Sequence, residues 1–252
     1  MNFIQLNQNN IANQHICCGF SDKKCSAGYQ MKKDWLSKEF EKGYVFRKGD
    51  VRHKVFIEYG PAEESWYPVD AAGYMMLGCF WVAGQYKGKG NGKALLEDCL
   101  KDTEHTNGVA VLSSKKKMPF LSDARFLKMN GFEVCDTAPP FFELLVRKNK
   151  QDAPTPKFMP HIKKNELPGE KGLTVFYTNQ CVFTNYYVNV EYQNISKEFN
   201  LPLEIIHIKS REEITKVPSA FPIHNVYLDG EFLTHEILTV KRFKKLMAKQ
   251  KP

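Results

Sequence analysis

The chain has 252 residues, enough for one large domain or two ordinary ones, and 42% of them are hydrophobic, which supports a packed core. The formal net charge is +8, but the longest basic run is only Lys115–Lys117. A nucleic-acid-binding protein usually gathers its positive charge on one face, so this composition argues against a nucleic-acid partner. It also argues against a membrane partner, because no apolar stretch reaches the ~20 residues that a membrane span needs.

The seven cysteines are irregularly spaced and form no CxxC pair, so they do not resemble a disulfide framework. The N-terminal stretch MNFIQLNQNN is polar and lacks the hydrophobic region of a signal peptide. We therefore expect a soluble protein of the reducing cytoplasm. We expect it to bind small molecules as a monomer or homodimer, and to have no metal site.

Hydrophobic periodicity predicts two consecutive series of helices and strands. The first series is predicted as a helix over 24–42, strands at 44–47 and 54–59, a buried strand at 72–83, a helix from 91, a strand at 108–114, a short helix at 123–130 and one or two strands over 132–148. The second is predicted as a strand at 173–177, a helix at 185–200, a strand at 202–208, a helix at 210–217, a hairpin turning at 229–230 and a helix at 239–249. Prolines and charges predict a linker over 149–172. The sequence thus predicts two α/β domains, 1–148 and 173–252.

A glycine-rich loop lies within the stretch VAGQYKGKGNGKALLE at 82–97. Gly88, Gly90 and Gly92 alternate with polar residues and run directly into helix-forming residues. Glycine lets the backbone turn sharply and approach a ligand closely. A helix start adds unpaired N–H groups and a positive dipole end. The stretch therefore predicts an anion site, and the anion most often bound in this way is phosphate.

Two common phosphate loops do not fit this stretch. A Walker A loop needs a hydroxyl residue after Gly-Lys, and Ala94 follows Gly92-Lys93. A dinucleotide-binding loop needs G-x-G-x-x-G after the first strand, and the glycines here have another spacing.

The loop resembles the coenzyme A pyrophosphate loop of the GNAT acetyltransferases, [RQ]-x-x-G-x-[GA]. Lys87–Gly92 matches with Lys in place of Arg or Gln, and Gln85–Gly90 matches in a shifted frame. The first frame is preferred, because it puts Val82 at the end of the strand and Ala94 in the first helical turns. The order of elements over 1–147 is also similar to that family.

The resemblance implies an N-acetyltransferase with the mixed-sheet α+β fold of the GNAT family and acetyl-CoA as its co-substrate. The acceptor would be a small amine or a peptide amine. The pyrophosphate would lie on the amides of 88–93 and the pantetheine arm would pair with the preceding strand. The implied coenzyme-binding residues are Phe80, Trp81, Val82, Lys87, Gly88, Lys89, Gly90, Asn91, Gly92 and Lys93.

The family's usual catalytic residues are missing from the matching positions. Leu127 stands where many GNAT enzymes have a tyrosine acid, and Phe120 where an asparagine is common. Glu58, as a base, Ser122 and Cys181 remain as candidates. Their alternative interpretations are a surface carboxylate, a serine at a strand end or helix cap, and an inert buried cysteine.

The second series resembles thioredoxin, because Cys181 lies between a strand and a helix, where a helix start lowers a thiol pKa. Pro222 lies eight residues before Gly230, as the facing cis-proline of that fold does. Thr184 replaces the second cysteine of a CxxC.

A GNAT domain followed by such a domain resembles the YoaP-type acetyltransferases. The stretches KMPFL at 117–121 and GEFLTHEIL at 230–238, with Phe183-Thr184 after the cysteine, carry this likeness. The C-terminal domain would then assist substrate binding. Two alternatives stay open: a non-catalytic protein that binds acyl-CoA or a thiol ligand, and a thiol-redox protein that uses Cys181.

Overall fold

The computed structural model describes residues 1–250. Its strands are β1 (Phe3–Leu6), β2 (Val45–Gly49), β3 (Val55–Pro61), β4 (Val69–Asp70), β5 (Met75–Val82), β6 (Gly108–Ser114), β7 (Glu133–Ala138), β8 (Phe142–Lys148), β9 (Lys157–Phe158), β10 (Leu173–Tyr177), β11 (Leu203–His207), β12 (His224–Leu228) and β13 (Glu231–Thr234). Its α-helices are α1 (Ser26–Phe40), α2 (Asn91–Asp102), α3 (Ala124–Met129), α4 (Thr184–Tyr186), α5 (Tyr192–Phe199) and α6 (Val240–Gln250). None of these helices is long and apolar enough to cross a membrane.

A seven-stranded sheet with the order β1-β2-β3-β5-β6-β8-β7 forms the first unit, which we define as residues 1–148. The pair β5 and β6 is parallel, whereas the other neighbours in this sheet are antiparallel. The expected mixed α/β architecture with a mixed sheet is therefore confirmed.

The parallel pair β5 and β6 separates along its length. Ladder pairing between them ends at Leu77 and Val111, although β5 continues to Val82 and β6 to Ser114. On its other side, β5 carries a bulge, because the register with β3 shifts between Ile57 and Tyr59. Residues 78–82 of β5 therefore have a free edge toward β6, and a free strand edge can pair with an extended ligand.

A four-stranded sheet with the order β11-β10-β12-β13 forms the second unit, defined as residues 173–250. β10 pairs in parallel with β11 and antiparallel with β12, which pairs antiparallel with β13. The hairpin turns at Asp229 and Gly230, as expected, and both residues have positive φ angles.

The segment 149–172, expected as a linker, packs against both units. β9 pairs with β4, and Phe158 and Ile162 are buried in the hydrophobic core of the first unit. The Asn165 side chain bridges the two units, since its Nδ2 donates to Pro139 O at 3.0 Å and its Oδ1 accepts from Tyr227 OH at 2.6 Å. The segment therefore fixes the units to each other.

The two units also share a hydrophobic core. One cluster of buried side chains draws on both sheets and includes Trp35, Phe46, Phe56, Phe176, Val182 and Tyr227. At Gly28 in α1, a Cβ atom would overlap the carbonyl oxygen of Val182, so the backbones of the two units approach each other closely there. Separating the units would expose this apolar surface to water.

Three local features differ from the sequence-based expectation. β1 was not predicted, because its four residues FIQL stand next to a polar stretch. The helix expected at 210–217 is a short 3-10 turn, Glu212–Lys216. The helix expected at 185–200 contains a π turn, Tyr187–Glu191, between α4 and α5.

Two buried histidines of the second unit form hydrogen bonds within that unit and to the first unit. His224 Nδ1 lies 3.2 Å from His235 O, and its Nε2 lies 3.0 Å from Tyr192 OH. His235 Nε2 lies 2.8 Å from Pro119 O in the first unit. Burial lowers the pKa of each imidazole to about 4, so both are neutral at pH 7 and each can donate one N–H to a carbonyl.

We predict that these histidines make the fold acid-sensitive. Below pH 6.5 the unfolded chain binds a proton at each histidine, whereas the folded chain does not until about pH 4. One pKa unit corresponds to about 1.4 kcal/mol, so the free energy of unfolding should fall by roughly 3 kcal/mol per histidine over that range.

Urea unfolding from pH 7 to pH 4 measures this effect. The double variant His224→Gln/His235→Gln cannot bind these protons, and its stability should therefore fall less than that of the wild type over the same range. Equal losses in the two proteins would contradict the assignment.

Candidate active site

The glycine loop presents free backbone amides at the start of α2. Gly88 and Gly90 have φ angles of +76° and +77°, a left-handed conformation that strongly favours glycine. Gly90 is the N-cap of α2 and offers no side chain to the first-turn amides. The Asn91 side chain braces the loop by donating to Tyr86 O at 2.8 Å. The first turn of α2 can therefore receive an anion.

Three lysines surround these amides. Lys87 and Lys89 are exposed, and Lys93 forms an exposed pair with Glu97 at 3.6 Å. Exposed pairs of this kind contribute little to stability, so Lys93 remains available to a second anion. Since α2 begins at Asn91, Gly92 lies in its first turn, which favours the Lys87–Gly92 frame of the motif.

The end of β5 connects the loop to a cavity. Phe80 packs on Phe126 with ring centroids 5.6 Å apart, and Trp81 is 44% exposed. These two residues line the cavity, and Val82 ends the strand just before the loop. A ligand whose phosphates lie on the loop could therefore extend along the free edge of β5 into the cavity.

The cavity lies between the two units and has a volume of about 190 Å³. The first unit contributes residues of β3 and β5, the loop after β6 and Cys18. The second unit contributes residues 180–183 together with Phe221 and Ile223. All three sequence-derived catalytic candidates, Glu58, Ser122 and Cys181, line this one cavity.

Glu58 is buried and ion-paired. Its Oε2 accepts from Lys32 Nζ at 2.6 Å and from Tyr44 OH at 3.1 Å. The Lys32 and Glu58 side chains are only 5% and 3% exposed. Because both bonds go to Oε2, Oε1 has no donor among the described residues and can accept a hydrogen bond from a ligand. The bulge in β5 places Gly78 and Cys79 opposite Glu58.

Two buried serines at the end of β6 support the loop that carries the candidate Ser122. Ser113 Oγ donates to Ser122 O at 2.7 Å, and Ser114 Oγ donates to Lys116 O at 2.6 Å. These hydroxyls therefore support the loop that carries Ser122. Leu127, at the family's tyrosine position, is fully buried in the core and cannot replace that hydroxyl.

Three residues of the site could not be recognised from the sequence pattern. Lys32 and Tyr44 become partners of Glu58 only through folding, since they lie 26 and 14 residues from it along the chain. Tyr67 also lines the cavity, and burial raises its pKa, so its hydroxyl keeps its proton at neutral pH. A periodic pattern in α1 indicates a buried face but not the partner of a buried lysine.

The expected lowering of the Cys181 pKa is wrong. Burial raises the pKa of this thiol, although the backbone N–H groups of Phe183 and Thr184 act in the opposite direction. The start of this helix packs against the first unit, where Val182 O closely approaches Gly28. Cys18 and Cys79 line the same cavity, and burial raises their pKa values as well, to about 12 for Cys18.

We predict slow alkylation of Cys181 by iodoacetamide at pH 7. Because the thiolate is the reactive form and the pKa is raised, the rate should increase about tenfold per pH unit on going to higher pH. Peptide mass mapping over time measures it, with Cys181→Ser as the control for the assigned peptide. A fast phase at pH 7 would show that the helix amides prevail over burial.

The second thioredoxin feature expected from the sequence is also missing. Among residues 1–250 the cis peptide bond is Pro139–Pro140, and the bond before Pro222 is trans. The neighbouring Phe221 is buried and lines the cavity, so this segment contributes an apolar wall.

Comparison with known proteins identifies relatives of this chain. A family model described as YoaP-like matches residues 202–245. A Bacillus subtilis (strain 168) protein named "Uncharacterized N-acetyltransferase YoaP" is 36% identical over 249 residues, covering 98% of each chain.

Solved structures that resemble the chain include two proteins in complex with coenzyme A. The PaiA N-acetyltransferase from Thermoplasma acidophilum is 17% identical with a TM-score of 0.40, over 59% of this chain and 99% of that one. The YhbS GNAT family N-acetyltransferase from Escherichia coli is 12% identical with a TM-score of 0.41, over 67% of this chain and 95% of that one. These likenesses are too distant to assign residues.

The Bacillus subtilis relative, 36% identical over 98% of each chain, shows the family. The chain is a GNAT N-acetyltransferase and belongs to the family of YoaP. GNAT acetyltransferases use acetyl-CoA, which is therefore its co-substrate. The expectation of an acetyl-CoA-dependent enzyme is confirmed.

Proposed function

We propose that the protein transfers the acetyl group of acetyl-CoA to the amine of a small molecule bound in the cavity between the units. The observation that carries this proposal is the position of Glu58, which is buried beside the β5 bulge in the wall of that cavity. The free edge of β5 ends in the same cavity, so donor and acceptor would meet next to this carboxylate.

The donor side follows from the loop and the strand. The pyrophosphate lies on the amides of 88–93, with Lys87, Lys89 and Lys93 as counter-charges, and the pantetheine arm extends along 80–82. The separation of β5 from β6 beyond Leu77 supports this path, because it leaves strand edge free for the arm.

Transfer needs one bond to form and one to break. The acceptor nitrogen attacks the thioester carbonyl, an N–C bond forms and the C–S bond breaks. Glu58 accepts the proton that the amine loses, through its free Oε1. Lys32 and Tyr44 hold the carboxylate in place from the opposite oxygen.

The departing thiolate needs a proton. Leu127 has none to give, whereas the Tyr67 hydroxyl lines the cavity and stays protonated. We assign this proton transfer to Tyr67. General acid–base groups of this kind contribute about 10²–10⁴-fold to a rate.

The second unit closes the acceptor site. We propose a domain division of 1–148 for the acetyltransferase, 149–172 for the linker and 173–252 for a thioredoxin-like domain, of which 251–252 lie outside the described residues. The strand order β11-β10-β12-β13, with β10 and β11 parallel, supports the thioredoxin-like description.

Cys181 contributes to the wall of the acceptor site and takes no part in the transfer. A cytoplasmic monomer or homodimer is the form that we propose.

An amine panel tests the proposal on the full chain. The protein is incubated with acetyl-CoA and primary amines, and the products are identified by mass spectrometry. N-acetylated amine formed in step with loss of thioester would support it. Loss of thioester without acetylated product, or no loss with any amine, would contradict it.

A further inference from the structure

The charges around the cavity indicate what kind of amine it accepts, an inference that rests on the proposed function. The charged residues among the described lining are Lys32, Lys54 and Glu58. Lys32 neutralises Glu58 through the buried 2.6 Å ion pair. Lys54 forms no salt bridge within residues 1–250, and its Nζ lies 5.9 Å from the Trp81 ring. The cavity wall therefore carries one uncompensated positive charge.

This charge balance disfavours polycationic acceptors. A polyamine or an aminoglycoside brings several ammonium groups, and each would need a carboxylate or many polar partners to leave water. The described wall offers a single carboxylate, which already pairs with Lys32. In an amine that also carries an anionic group, that group could pair with the Lys54 ammonium, and the amino end could bind the Glu58 carboxylate.

Apart from Ser122 and Gln180, the remaining walls are mainly apolar and aromatic. Phe120, Phe183 and Phe221 come from three separate segments and face the same space. The cavity has a volume of about 190 Å³, and one water needs about 10–15 Å³ on the same measure, so the cavity has room for a small organic molecule. The space therefore suits a molecule the size of one aromatic amino acid rather than a peptide.

We propose that the acceptor is a small aromatic amine that bears a carboxylate, as an aromatic α-amino acid does. Its ammonium group meets Glu58 Oε1, its ring lies among the phenylalanines, and its carboxylate pairs with Lys54. The bound ammonium group first releases one proton to water, and the neutral amine then attacks the thioester carbonyl. Glu58 takes the second proton as the N–C bond forms, and the carboxylate of the acceptor takes no part in the reaction.

Matched amines test this proposal on the full chain. L-phenylalanine and 2-phenylethylamine differ by the carboxylate, glycine lacks the ring, and spermidine is polycationic. We expect kcat/KM for phenylalanine to exceed that for each of the other three at least tenfold. In Lys54→Gln, the ratio of phenylalanine to phenylethylamine should fall at least tenfold. Lys101→Gln, an exposed lysine of α2 outside the cavity lining, is the matched control and should keep the ratio.

The outcomes separate the acceptor class from the proposed function. Acetylation of phenylethylamine or spermidine in preference to phenylalanine would overturn the acceptor class and leave the transferase in place. A rise in KM for acetyl-CoA in Lys54→Gln, with the amine ratio unchanged, would assign Lys54 to the coenzyme and overturn the class as well. Acetylation of none of these four amines, with another primary amine of the panel acetylated, would overturn the acceptor class alone, whereas no acetylation of any amine would overturn the proposed function as well.

Discussion

The variant Glu58→Gln should lose at least about 100-fold in kcat while binding acetyl-CoA normally. Glutamine keeps the shape of the side chain but cannot accept the amine proton, and proton transfer of this kind contributes about 10²–10⁴-fold. Glu58 lies on β3, outside the glycine loop that is proposed to bind the pyrophosphate. KM for acetyl-CoA should therefore change little. Steady-state formation of the acetylated product measures both constants.

Stability has to be separated from chemistry in this variant. Removing one partner of a buried ion pair costs about 3–5 kcal/mol, and Glu58→Gln leaves the Lys32 ammonium buried without its carboxylate. The double variant Lys32→Met/Glu58→Gln removes both charges and should regain stability but not activity. Glu198→Gln, an exposed carboxylate of α5, serves as the control. A kcat within threefold of the wild type in the folded double variant would exclude Glu58 as the base.

The variant Gly92→Asp should abolish acetyl-CoA binding. A carboxylate in the first turn of α2 would occupy the position of the pyrophosphate and repel it. At about 100-fold excess over Kd, binding stabilises the wild type by about 2.7 kcal/mol. This corresponds to a rise in Tm of about 5–10 °C for a chain of this size. Thermal unfolding of the full chain with and without acetyl-CoA should show this rise in the wild type and none in the variant.

Two features of Gly92 allow a loss of binding to be distinguished from a loss of folding. An acidic residue in the first turn of a helix stabilises it, so the variant should fold without ligand. A Cβ at Gly92 would lie 3.7 Å from Phe80, an ordinary contact, and the motif itself accepts alanine there. Gly92→Ala should therefore keep most of the rise in Tm. A full rise in Gly92→Asp would show that the pyrophosphate lies elsewhere.

Local patterns were enough to predict a glycine loop between a strand and α2, whereas its role as the coenzyme site stays a prediction. Alternating glycines before a helix can be read from adjacent residues, and the structure gives Gly88 and Gly90 the positive φ angles that such a loop needs. The apolar strand before the loop was recognised for the same reason. That Leu127 stands at the family's tyrosine position also follows from the local motif, and it stays a prediction.

The acceptor side depends on contacts between distant residues and could not be read in this way. The Lys32–Glu58 pair joins a helix to a strand, and Cys18, Glu58 and Cys181 meet only when the two units pack together. The same packing explains the error at Cys181. The sequence shows a helix start that favours a thiolate, but the first unit covers it, and burial raises the pKa.

The packing of the units also decides how the protein should be studied. The shared cluster that contains Trp35 and Val182 would be exposed if the chain were divided near residue 150. Experiments on an isolated first unit would therefore mix loss of folding with loss of binding. Variants in the full chain keep the two effects apart.

The most direct test of the account is a crystal structure of the full chain with coenzyme A. We expect the pyrophosphate on the amides of 88–93, the pantetheine arm along 80–82, and the sulfur at the cavity wall that contains Glu58. Coenzyme A bound away from the loop, or bound there with its sulfur directed away from Glu58, would contradict the central claim that the cavity between the units is the acetyl-transfer site.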